Sequence, residues 1–169
     1  MKNKHDNSLI QKTTWTDIDY QNMIWTDCKL YGFIIDRDDE NWTSDLIFDI
    51  DYILNAVQPE KPSLPVKHWI SPCTMIFKNV FDLNINIDCK GGGLFRMEIG
   101  ELCLTDTIKI ENNKWANCWC IHLDCGYITF KSGEMRQIQR LAPILTDTLE
   151  LTLQERQGVG FEKIPYDEK

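Results

Sequence analysis

The chain has 169 residues, a formal net charge of −8, and a composition that is 43% hydrophobic and 11% aromatic. A single domain of this length buries about 70% of the surface its unfolded chain exposes, so a core can form without disulfides or metal. Its acidity argues against nucleic-acid and membrane-surface binding; it serves solubility first and would also attract a basic protein partner.

Residues 1–12 read as a polar flexible end without a secretory signal. The longest apolar run, Leu30 to Ile35, is far too short to cross a bilayer. Seven cysteines, an odd number in no regular framework, point to a reducing cytosol and mostly buried thiols. Frequent Asn, Ile, Lys and Asp suggest an AT-rich bacterial genome.

From residue 23 onward period-two alternation dominates. "CKLYGFII" (28–35) and "DLIFDIDYIL" (45–54) are apolar on both faces and read as central strands, joined by the charged loop "DRDDENWTS" (36–44). After the proline-rich loop "QPEKPSLP" (58–65), "WISPCTMIF" (69–77) reads as two strand pieces bent at Pro72. "LNINIDC" (83–89), "LFRMEIG" (94–100) and "LCLTDTIKI" (102–110) each show one wet face, with a glycine hairpin at "KGGG" (90–93) and a tight turn at "ENNK" (111–114). "NCWCIHLDCG" (117–126) alternates Trp119, Ile121 and Leu123 against Cys118, Cys120, His122 and Asp124.

In "SGEMRQIQRLAPIL" (132–145), Met135, Ile138, Leu141, Ala142 and Leu145 fit helical spacing, while Ile128 and Phe130 lead equally well into a strand that ends before Pro143. "TLELTLQ" (148–154) aligns Leu149, Leu151 and Leu153 as a last strand, and 158–169 reads as a polar flexible end. The expected fold is one all-β domain over 1–169, a mostly antiparallel β-sandwich or rolled sheet with room for one short helix near 133–142.

Four groups of side chains could carry chemistry. Cys118, Cys120 and His122 are zinc-type donors, but on one straight strand the outer pair lies about 13 Å apart, and no C-x-x-C cluster completes a site. The stretch therefore reads as a central strand, its second face filled by small thiols and a buried His122. Cys28 and Cys73 lack the local pattern of a nucleophile and read as core. Asp49 and Asp51 share a strand face and could split their pKa values for acid–base work; a solvated face, or pairing with a neighbour such as Lys29, is the simpler expectation. Glu98 and Glu101 belong in the same category with less to recommend them. Gly91–Gly93 has no Lys-Ser/Thr after it and is a turn, not a phosphate loop. Lys131, Arg136 and Arg140 are too few for a nucleic-acid footprint.

Six tryptophans are many for this size. Trp25 and Trp119 fall on core faces, whereas Trp42 sits inside the charged loop and is the best candidate for an exposed anchor.

"WTDCKLYGF" (25–33), "LIFDIDYI" (46–53) and "MIFKNVFDLNINI" (75–87), in that order, resemble a family of small uncharacterised bacterial all-β proteins. The resemblance implies the fold and carries no activity. Some proteins with similar short β-patterns are immunity proteins of toxin systems, which act by binding.

The sequence thus leads to a cytoplasmic, non-enzymatic protein-binding module, an immunity-type inhibitor among its forms. Asp36, Asp38, Asp39, Glu40 and Trp42 are the expected contact group for a basic partner. No catalytic residue, metal ligand or cofactor is assigned. A small metal- or carboxylate-dependent hydrolase and a β-barrel holding a small apolar ligand are the alternatives.

Overall fold

Alternating side chains build ten strands among the residues that this computed structural model describes, which are 11–91 and 97–169. In chain order they are β1 (Thr14–Thr16), β2 (Cys28–Asp38), β3 (Thr43–Val57), β4 (Lys67–Lys78), β5 (Phe81–Ile87), β6 (Met97–Lys109), β7 (Trp115–Leu123), β8 (Gly126–Ser132), β9 (Glu134–Gln139) and β10 (Ile144–Thr146). Every pairing is antiparallel, in the spatial order β1-β9-β4-β3-β2-β6-β7-β8-β5, with β10 beside β4. Short 3₁₀ turns lie at Asp17–Asn22, Glu111–Asn113 and Tyr166–Glu168.

The fold is therefore all-β, and of the two expected arrangements the rolled sheet is the one formed. Curling brings β7 and β8 over β3 and β4. Phe77 meets Phe130 at 4.6 Å and Trp119 at 5.3 Å between ring centroids, and Phe48 meets Phe130 at 6.5 Å. These aromatic contacts, with Leu46, Ile50 and Ile121, fill the interior. Each such side chain contributes roughly 1.5–3 kcal/mol by leaving water. The roll stays open, with β1 and β5 as its edges. Among the described residues the sheet is therefore not a closed barrel.

β3 is buried on both faces, as its composition requires. Leu46, Phe48, Ile50, Tyr52 and Leu54 point into the roll. Ile47, with Ile76 and Ile138, points outward against Phe161 of the C-terminal segment. That segment, read from sequence as a polar end, lies across the sheet: Gly160 N donates to Asp49 at 3.0 Å and Lys163 pairs with Asp36.

Three local expectations change. β4 is one continuous strand rather than two pieces. Its outer edge is shared by β10, up to Ile70, and β9, from Cys73. Pro72 falls in the gap between them, where its missing N–H costs nothing, and its carbonyl accepts the Arg140 N–H at 2.8 Å. The segment near 133–142 is strand β9 and not a helix: Met135 and Gln137 face the interior at period two, and Gln137 accepts the Trp25 indole N–H at 2.8 Å.

Thr148–Gln154 forms bends and a turn instead of a strand. Only Leu151 of its three leucines is buried, and its N–H goes to Asp51 rather than to a ladder. Thr152 and Glu155 cap each other locally, which competes with sheet pairing. The hairpin at Lys90–Gly93 and the start of "LFRMEIG" run into 92–96, outside the described residues.

Candidate functional site

Asp36, Asp38, Asp39, Glu40 and Trp42 lie together at the end of the β2–β3 hairpin. The strands pair out to Asp38↔Thr43, leaving Asp39–Trp42 as the tip. Asp38 orders it: its Oδ1 accepts the N–H groups of Glu40 (3.1 Å) and Asn41 (3.0 Å), and its Oδ2 accepts the Asn41 amide at 2.7 Å. These bonds, the Asn41 side chain foremost, hold the Asp38 carboxyl below the usual carboxylate range.

Arg37 binds Asp39 at 2.6 Å and Lys163 binds Asp36. Glu40 is exposed and Trp42 is 94% exposed. Trp42 also has φ 52°, the left-handed region that a bulky side chain disfavours. A groove of ≈ 340 Å³ runs past it, lined by Arg37, Asp39 and Ser44 among others.

Asp49 and Asp51 are not a solvated face, and Lys29 is not their partner. Both carboxylates have zero exposure, and so does Arg156 between them. Arg156 donates two bonds to Asp49 (2.7 and 3.0 Å) and one to Asp51 (3.2 Å), and its guanidinium lies 3.4 Å from the Tyr31 ring centroid. Arg140 completes the group on Asp49. Tyr31 and the Leu151 N–H each donate to Asp51 at 2.9 Å.

Burial pushes the Asp51 carboxyl up against the pull of these donors. It also works against the Arg156 cation, but Asp49 and Asp51 more than offset it and hold Arg156 above its ordinary value. Two guanidiniums against two carboxylates make a balanced buried quartet. It fixes the C-terminal segment on the sheet and presents no carboxylate to a substrate.

Lys29 pairs instead with Glu98 and sits 3.9 Å from Glu150. Lys131 binds Asp82 at 2.6 Å, so the weak basic group disperses.

Cys28 and Cys73 have zero exposure, and burial pushes the Cys28 thiol up to about 12. That is the behaviour of core cysteines rather than nucleophiles. His68 is paired across to Thr146 at the far end of β4 from the inward face that Cys73 occupies.

"NCWCIHLDCG" forms β7 with Trp119, Ile121 and Leu123 in the core. Its second face is only partly the buried one expected: Cys120 is buried and Cys118 half-buried. His122 is exposed, its Nε2 3.4 Å from Cys120 Sγ. β6 supplies what the sequence reading left out. Cys103 lies opposite Cys120, and Glu101 opposite His122. One donor atom from each of Glu101, Cys103 and His122 lies within 4.8 Å of the others.

No family model matches this chain, and no curated protein or solved structure shows similarity to it. Among the described residues no helix is long and apolar enough to cross a membrane.

Sequence reasoning missed Arg156 because it sits in "ERQG", a stretch with no period, and its role depends on the path of the tail. It passed over Glu101 and Cys103 as metal donors because a bulge sets their face. The register shifts between Ile99 and Glu101, so Ile99 and Leu102 both turn inward while Glu101 and Cys103 turn out. Gly100, at the bulge, was the available signal.

Proposed function

We propose that this protein acts by binding a basic protein partner through the tip of the β2–β3 hairpin, without chemistry of its own. The observation that carries the reading is Trp42: a tryptophan almost wholly in water, at a backbone position where hairpins favour glycine or asparagine. Exposure of a large aromatic and left-handed strain both cost stability, and neither is repaid within the fold. Such outliers point to function.

Asp38 orders the tip in advance, which lowers the entropy lost on docking. Four acids against Arg37 across 36–42 give the tip its sign, in keeping with the −8 of the chain. A reduced cytoplasmic setting belongs to the same reading, supported by seven free thiols. An immunity-type inhibitor that covers a basic toxin is the form of partner binding that the sequence resemblance suggests.

The test is affinity capture from the native host, with wild type and Trp42→Gly as paired baits, read by mass spectrometry. The reading expects a basic protein held by the wild type, released by salt and missing from the variant. Equal recovery by both baits would overturn it.

A further inference from the structure

The outer face of β6 and β7 collects zinc-type donors from two adjacent strands, which removes the obstacle a single strand posed. Neighbouring strands lie about 4.7–4.9 Å apart, so donors facing each other across a pair can share one ion. Here the Gly100 bulge aims Glu101 and Cys103 to the same side as Cys120 and His122.

We propose that Glu101, Cys103, Cys120 and His122 form a binding site for a borderline-soft divalent cation, Zn²⁺ first among them. Two thiols, an imidazole and a carboxylate are the ligand types zinc takes in four-coordinate sites. Bonds of about 2.0–2.3 Å put neighbouring donors of a tetrahedron roughly 3.3–3.8 Å apart. Cys120 Sγ and His122 Nε2 already stand at 3.4 Å. Glu101, Cys103 and His122 lie within 4.8 Å of each other, a spacing that rotamer adjustment closes.

Burial, then the Glu101 carboxylate, pushes the Cys103 thiol up to about 11, and the same two causes raise Cys120. The cation takes cysteine as thiolate, so binding releases the proton of each thiol. Cys118 is excluded from the set: it is paired across to Asp106 and Lys131, one step further along the face. The bound ion would clip the β6–β7 hairpin on the side away from the core.

The test uses the full chain, reduced with a phosphine, freed of metal by chelator and exchanged into metal-free buffer. Titration with Co²⁺ should show about one equivalent per chain, with the visible bands of a tetrahedral ion and a thiolate charge-transfer band, all removed by Zn²⁺. Cys103→Ser and His122→Asn should each weaken binding about tenfold or more, while Cys118→Ser should not. Glu101 and His122 are exposed and Cys103 half-buried, so these variants keep the core, which circular dichroism verifies.

Three results would overturn the proposal. One is less than about a tenth of an equivalent bound at micromolar Co²⁺. Another is a spectrum unchanged in both Cys103→Ser and His122→Asn, which would place the ion elsewhere. The last is a Cys103–Cys120 disulfide as the only chemistry of the pair, with no binding by the reduced protein.

Discussion

Arg156 meets Asp49 through two parallel hydrogen bonds of 2.7 and 3.0 Å, with neither side chain exposed. The residues are far apart in sequence, and their pairing pins the C-terminal segment across β3. Breaking a buried pair by removing one partner strands the other charge and costs about 3–5 kcal/mol. Arg156→Ala should lower stability by that amount in urea unfolding. Arg156→Lys should rescue little of it, because an ammonium cannot serve Asp49 in two places and Asp51 in a third. A loss below about 1 kcal/mol for Arg156→Ala would show that the segment is not held by this contact.

Trp42 separates stability from binding. Trp42→Gly relieves the left-handed strain at φ 52° and removes an exposed aromatic ring, so the hairpin should be unchanged or stabilised by up to about 1 kcal/mol. Affinity for the captured partner should fall by at least about 30-fold, the loss typical of a hot-spot residue. Denaturant midpoints and titration calorimetry on one preparation read both quantities. A destabilised Trp42→Gly would mean that the ring serves the fold instead.

Period two made most of the strands legible, since alternation such as Trp119–Ile121–Leu123 has one reading. Of the loop read at 36–44 only Asp39–Trp42 lies outside the strands, because β2 and β3 pair out to Asp38↔Thr43, whereas the turn at Glu111–Asn113 was plain from its residues. Segment 133–142 carried both periods, and pairing with β4 and β1 decided for the strand, a tertiary choice that local spacing does not encode. Leu149, Leu151 and Leu153 alternated without forming a strand, because Leu151 N–H found a carboxylate rather than a neighbouring strand. The acidic cluster at 36–42 was visible as composition, but Asp38's role in ordering the tip depends on how the turn closes. The β6–β7 donor set stayed hidden for a different reason. A single-residue bulge after Ile99 moves Glu101 from one face to the other, and Gly100 was the one residue in the string that marked it.

Asp17 gives a pH test with a definite sign. It is half-buried, accepts the Met135 N–H at 2.9 Å and lies near Glu134. Burial foremost, with Glu134 adding to it, raises its carboxyl above the ordinary value despite the backbone hydrogen bond. A raised acid favours the fold most when protonated, so its contribution is present below the ordinary carboxylate range and lost as pH rises through the folded-state value. Asp17→Asn keeps an oxygen for Met135 and removes the charge. It should raise the unfolding temperature at pH 7 by up to about 2–4 °C, the shift for roughly 1 kcal/mol at this size. The advantage should shrink towards zero as the buffer is brought through the carboxylate range to acid. A gain that is constant with pH would assign the effect to something other than the charge.

Gly126 closes the β7–β8 turn at φ 150°, paired with Leu123 on one side and Ile87 on the other. A Cβ there would stand 2.0 Å from the Asn86 carbonyl oxygen, a backbone atom with no freedom to step aside. Gly126→Ala therefore has to push β5 off β8, the one strand it pairs with at the edge of the roll. The expected cost is about 1–3 kcal/mol, in the range of overpacked sites. It should be local in character. Amides of Asn84–Ile87 should exchange faster, while those of β3 and β4 keep their protection relative to global unfolding. Unchanged exchange in β5, with the whole stability loss appearing in β3 and β4, would show that the turn supports the core and not the edge.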